Sequence, residues 1–169
     1  MRIMDAGWAA VIGAAVGASA SILTSVLLTI PGLSPEDRAN RIQRANRLNA
    51  LVVEVSEHFT AIGEAPDSPN GHAEVLEASR LLLRDRVELA SLVGSKGDQL
   101  MSLFDVCLNG ISKRAYKLGI DSASTFSSGA ADWLRHGKLH RLSAKALEDL
   151  RLKIVAAKKR VNDGEVESS

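Results

Sequence analysis

The chain has 169 residues, with 21 Lys and Arg against 20 Asp and Glu and a formal net charge of +1. That balance gives no overall attraction to nucleic acid, and an aromatic content of 4% leaves no base-stacking platform. The single cysteine, Cys107, excludes an internal disulfide and a cysteine-rich zinc site, and its apolar neighbours make it a small core residue.

From Ala6 to Pro35 there is no charged side chain. Trp8 to Ile30 is read as one transmembrane helix. At 1.5 Å per residue it is roughly 34 Å long, enough for a hydrocarbon core of about 30 Å. Trp8 is expected at one interface, and Pro31-Gly32 ends the helix at the other. Two rival readings exist. In a cleaved signal peptide, Met1-Arg2 would be the n-region, Trp8–Gly17 the h-region and Ala18-Ser19-Ala20 the cleavage site. Cleavage there leaves Ser21–Leu33 as an apolar N-terminus with nothing to pack on. A buried helix would need an apolar surface all round, which a small domain rarely covers. The uncleaved anchor is therefore the expectation. Within it, Gly13, Gly17 and Ser21 recur every four residues, so they share a face on which a second membrane helix packs closely.

Only Arg2 and the amino terminus are positive before the span, whereas Arg38, Arg41, Arg44 and Arg47 follow it. Positive charge stays on the cytoplasmic side, so the N-terminus is expected outside and the following domain in the cytoplasm. Spaced three apart, these arginines step round about half of their helix. They are assigned to the membrane surface, where each contributes about 1 kcal/mol near anionic headgroups. A plain topology signal is the simpler and preferred explanation of the same four residues.

Setting Arg2 and Asp5 aside leaves 20 basic and 19 acidic residues behind the anchor. Ser34-Pro35-Glu36-Asp37 opens a helix, with Ser34 as cap and the acids at the positive end of the dipole. Leu48, Leu51, Val52, Val55, Phe59 and Ile62 fall in an arc of about 100°. Gly63–Gly71 reads as a loop. A helix over His72–Val93 has apolar residues round more than half of its surface, which places it mid-bundle. Gly94–Gly97 breaks the chain, and Asp98 caps a helix reaching Leu118. Gly119 stops it, and the serine-rich stretch Asp121–Gly129 reads as a loop. A short helix at Ala131–Arg135 ends at Gly137, and a last one spans Ser143–Val161. The resulting fold is all-α: a single N-terminal transmembrane anchor (1–33), an antiparallel bundle of about four helices (34–162) and a disordered tail (163–169).

No catalytic set stands out, and no cofactor is expected. His136 and His140 are spaced i, i+4, but Gly137 and Lys138 lie between them in place of a glutamate, so they read as solvated histidines. Glu54, Glu57 and His58 have no second Glu-x-x-His copy and read as a wet face. Ser127-Ser128-Gly129 carries no nucleophile signature. Lys158-Lys159-Arg160 makes the last helix basic near its end, where the dipole favours cations. The functional expectation is a single-pass protein that sits in membrane lipid. Its cytoplasmic bundle would bind itself or a membrane protein partner, with no nucleic acid. The alternative is a small holin-like or toxin-like effector that oligomerises through its transmembrane helix, and a third reading is a tethered enzyme with dispersed catalytic residues.

Overall fold

A computed structural model describes residues 34–65, 69–111 and 118–162. The expected span at Trp8–Ile30, its Gly13, Gly17 and Ser21 face, and the tail lie outside the described residues. Within the described residues no helix is long and apolar enough to cross a membrane.

The described residues form five α-helices and no strand, compatible with a helical bundle. They are α1 (Pro35–Glu64), α2 (Gly71–Val93), α3 (Asp98–Ile111), α4 (Leu118–His136) and α5 (Arg141–Asn162). A single 3-10 turn, Gly94–Lys96, joins α2 to α3. The first helix starts as its sequence dictates: the Ser34 side chain accepts a hydrogen bond from the Asp37 amide at 3.1 Å. That satisfies one of the amides a helix start leaves free. Asp98 sits in the first turn of α3 rather than capping it, and places its charge at the positive dipole end.

The axes of the bundle are α1 and α4, which run antiparallel. Ser56 meets Ser127 near their middle, and Gly63 meets Gly119 near one end. α2 returns along α1, with Arg47 opposite Glu88 and Arg44 opposite Leu92. α3 and α5 pack on the remaining sides of α4. The centre is filled by Phe59, Phe104 and Phe126, one from each of α1, α3 and α4, all fully buried. Their ring centroids lie 5.7 to 6.0 Å apart, with Phe104 and Phe126 edge to face at 87°. This geometry sets a positive ring edge on a negative ring face and adds to the area buried.

Three expectations are corrected. Asp121–Gly129 is not a loop but the heart of α4, so the bundle has five helices rather than about four. Ala123, Phe126, Ala130 and Leu134 bury one stripe of it, and the hydroxyls find internal partners: Ser122 donates to the Cys107 carbonyl at 3.3 Å. Packing outweighs the weak helix propensity of serine and glycine. Second, neither Gly63 nor Gly119 ends a helix there; both lie inside one, where the missing Cβ lets α1 and α4 touch backbone to backbone. Third, α2 is not the middle of the bundle. It lies at the edge, mainly against α1, and leaves Leu76, Leu83 and Val87 48%, 56% and 70% exposed.

Candidate functional site

The antiparallel pairing gathers the start of α1, the end of α2 and the end of α4 at one end of the bundle. There an open groove of about 690 Å³ forms. Its apolar wall is Leu48 from α1, Leu92 from α2, and Trp133 and Leu134 from α4, with Arg41 and Arg44 on the α1 side. Gly94, with φ of +59°, turns the chain out of α2 in the left-handed region that favours glycine. The Trp133 indole Nε1 is buried and has no hydrogen-bond partner among the described residues.

The four arginines assigned to the membrane surface occupy four different settings. Arg38 is half-buried, and its Nε has no partner among the described residues. Arg41 is exposed and has no ion-pair partner within the described residues. Arg44 reaches across to α2, donating from Nε to the Leu92 carbonyl at 2.7 Å and from a terminal nitrogen to the Ser91 carbonyl at 3.4 Å. It thereby occupies carbonyls that a helix C-terminus leaves free, at the end where the dipole favours a cation. Arg47 is gripped by two carboxylates: Glu88 at 2.5 and 2.7 Å, and Glu54 at 2.7 Å. The hydrogen bonds that Arg47 donates to Glu88 and then to Glu54 raise its pKa further. The hydrogen bond from Arg47 in turn holds the Glu88 carboxyl below the usual glutamate range. The three-residue spacing in the sequence thus separates the set: Arg44 and Arg47 tie α1 to α2, while Arg41 stays free toward solvent.

Glu54, Glu57 and His58 divide similarly. Glu54 belongs to the Arg47 pair, and Glu57 is exposed. His58 is not on a wet face. Its Nδ1 lies 2.8 Å from Oδ2 of Asp85, whose side chain is fully buried, and Arg84 donates to Oδ1 of the same carboxylate at 2.9 and 3.1 Å. Both carboxylate oxygens are satisfied, as a buried charge requires. The hydroxyls next along α1 are committed to their own helix: Ser56 bonds the Val52 carbonyl at 2.8 Å, and Thr60 donates to the Ser56 carbonyl at 2.9 Å. The His58–Asp85 pair is therefore a part-buried strut between α1 and α2, and among the described residues no hydroxyl is set against the imidazole. Asp85 gave no sign of this in the sequence, because a lone aspartate between two arginines reads as surface.

The His136 and His140 rings flank Gly137, with centroids 6.5 Å apart. Within the described residues no group of three or more His, Cys, Asp and Glu side chains is placed to hold a metal ion. Ser127, expected in a loop, is buried and shares a 2.6 Å hydrogen bond with Ser56. Asp132 accepts from the Ser143 hydroxyl and, at 3.3 Å, from the His140 amide, and so fixes the turn from α4 into α5. Cys107 is fully buried, and loss of solvation raises its thiol pKa well above the ordinary range, so it stays protonated. No family model, curated protein or solved structure matches this chain.

Proposed function

We propose that the chain is a single-pass, membrane-anchored helical module whose bundle docks a protein partner or a second copy of itself at the cytoplasmic face. The observation that carries the docking reading is the apolar stripe of α2. Leu76, Leu83 and Val87 point the same way at helical spacing, and Val87 is 70% exposed. Scattered exposed leucines are ordinary, but a stripe on one edge helix is a face without a cover. Anchoring is supported by the thirty uncharged residues Ala6–Pro35, which feed directly into α1. The sidedness is supported by Arg38, Arg41, Arg44 and Arg47 behind them.

Two measurements test this. Reporters fused at either end are expected to place the N-terminus outside and the C-terminus inside, with the chain retained in membranes after carbonate washing. Release into the wash refutes the anchor. Leu83→Glu with Val87→Glu puts two charges on the α2 stripe without touching the core. Cross-linked complexes seen with the natural sequence are expected to vanish in this variant while its circular dichroism is unchanged. Complexes that survive the double substitution refute the docking face.

A further inference from the structure

The groove at the α1 end combines two properties, of which the docking stripe on α2 has only the first. Its walls are apolar: Leu48, Leu92, Trp133 and Leu134 line it. Its α1 side is cationic, because Arg41 is unpaired within the described residues, and Arg44 uses only Nε and one terminal nitrogen on the α2 carbonyls. A guanidinium has five N–H donors, so Arg44 keeps donors to spare.

An occupant must therefore bring an apolar tail and an anionic, oxygen-rich head. The volume of about 690 Å³ lies within the range of small-molecule sites. Position narrows the choice further. Arg41 stands seven residues after Ser34, about 10 Å along the helix axis from the end of the uncharged run. Exposed Arg135, Lys138 and Arg141 lie at the same end of the bundle. The acids there are Glu36 and Asp37 in the first turn of α1, exposed Asp98, and Asp132, which is engaged by Ser143.

We propose that this groove binds an anionic phospholipid of the membrane, its phosphate between Arg41 and Arg44 and one acyl chain along Leu48, Leu92, Trp133 and Leu134. The inference rests on the membrane-anchored reading, which puts this end of the bundle against the headgroup layer. It adds to that reading a specific lipid contact, where the arginine run alone predicts diffuse attraction. Arginine suits the role because its planar fork meets two phosphate oxygens together.

Trp8 and Trp133 are the two tryptophans of the chain, so Trp8→Phe leaves Trp133 as the sole indole reporter. The full-length Trp8→Phe protein is reconstituted in vesicles of phosphatidylcholine and phosphatidylglycerol. Bromine is placed on the acyl chains of one lipid or the other at equal total bromine, so that quenching reports acyl contact with Trp133. Brominated phosphatidylglycerol is expected to quench several-fold more strongly than brominated phosphatidylcholine. Arg41→Glu, at an exposed position, should abolish that preference, and Ala45→Phe, which fills the groove, should abolish quenching by either lipid. Equal quenching by the two lipids, or none, with the helical spectrum intact, overturns the proposal and leaves the groove to another occupant. Carbonate extraction of the same vesicles reads the anchor separately. A chain that stays in the membrane yet shows no lipid preference refutes the groove alone, and a chain that washes out yet prefers the brominated anionic lipid refutes the anchor alone.

Discussion

Replacing Gly119 with alanine sets two effects against each other, and the structure decides which wins. A Cβ at Gly119 would lie 2.5 Å from the Gly63 nitrogen, 2.5 Å from the Phe59 carbonyl oxygen and 2.7 Å from the Gly63 Cα. All three neighbours are backbone, so no side chain is free to turn aside. Ordinary contacts of about 3.5–4 Å then require α1 and α4 to part by roughly 1 Å, and a gap of that size forfeits a quarter to a half of each dispersion contact along the seam. Overpacking of this kind costs about 1–3 kcal/mol, and with backbone on both sides the upper end applies. Against it, alanine within a helix gains about 1 kcal/mol over glycine. The net expectation is a loss of about 2 kcal/mol. Urea unfolding of the full chain in detergent, followed by far-ultraviolet circular dichroism, reads this as a midpoint lowered by about 1 M at a slope near 2 kcal/mol per M. A Gly119→Ala protein as stable as the parent, or more so, would show that the α1–α4 crossing is not this tight. Gly137→Ala is the control: its φ is +67° and nothing lies within 4 Å of the new Cβ, so only the left-handed backbone penalty of about 1–2 kcal/mol remains.

Phe104→Ala empties one third of the aromatic centre and is expected to cost about 3–5 kcal/mol in the same unfolding assay; a loss under about 1 kcal/mol contradicts the burial of that ring. For the Ser56–Ser127 pair, Ser127→Ala leaves the Ser56 hydroxyl bonded to the Val52 carbonyl, so the loss should be about 1 kcal/mol or less, and the Ser56→Ala, Ser127→Ala double variant should lose less than the two single losses added. The Glu88 carboxyl, depressed by Arg47, contributes stability that is fully present above its ordinary value of 4.5 and disappears as pH falls through its lower folded value. Nuclear magnetic resonance titration should show Glu88 ionising below that value, and Arg47→Gln should return it there; an unmoved titration refutes the pairing.

The sequence carried the boundaries of α2, the start of α1 and the core face of α1, because capping residues and 3.6-residue periodicity act locally. Ser34 caps as expected, and Leu51, Val52, Val55, Phe59 and Ile62 are all fully buried. The centre of α4 was obscured because Ser122, Thr125, Ser127 and Gly129 weaken the local signal. The stripe Ala123, Phe126, Ala130 and Leu134 was present at helical spacing and should outweigh the serines in such a reading. The edge position of α2 was unreadable for a different reason. A wide apolar arc is the same string of letters whether another helix of the chain or an outside partner covers it. The groove was hidden likewise, since Arg41, Leu92 and Trp133 come together only once three helix ends meet.

α1 is 30 residues long, about 45 Å, and its first buried apolar side chain, Leu48, comes thirteen residues after Pro35, about 20 Å along the axis. From Arg44 onward it is held along its length, by Arg44, Arg47 and His58 on one side and by the Gly63–Gly119 crossing at the far end. One continuous helix thus links Ser34 to a crossing at the opposite end of the bundle, where two glycines leave no side-chain cushion between the backbones.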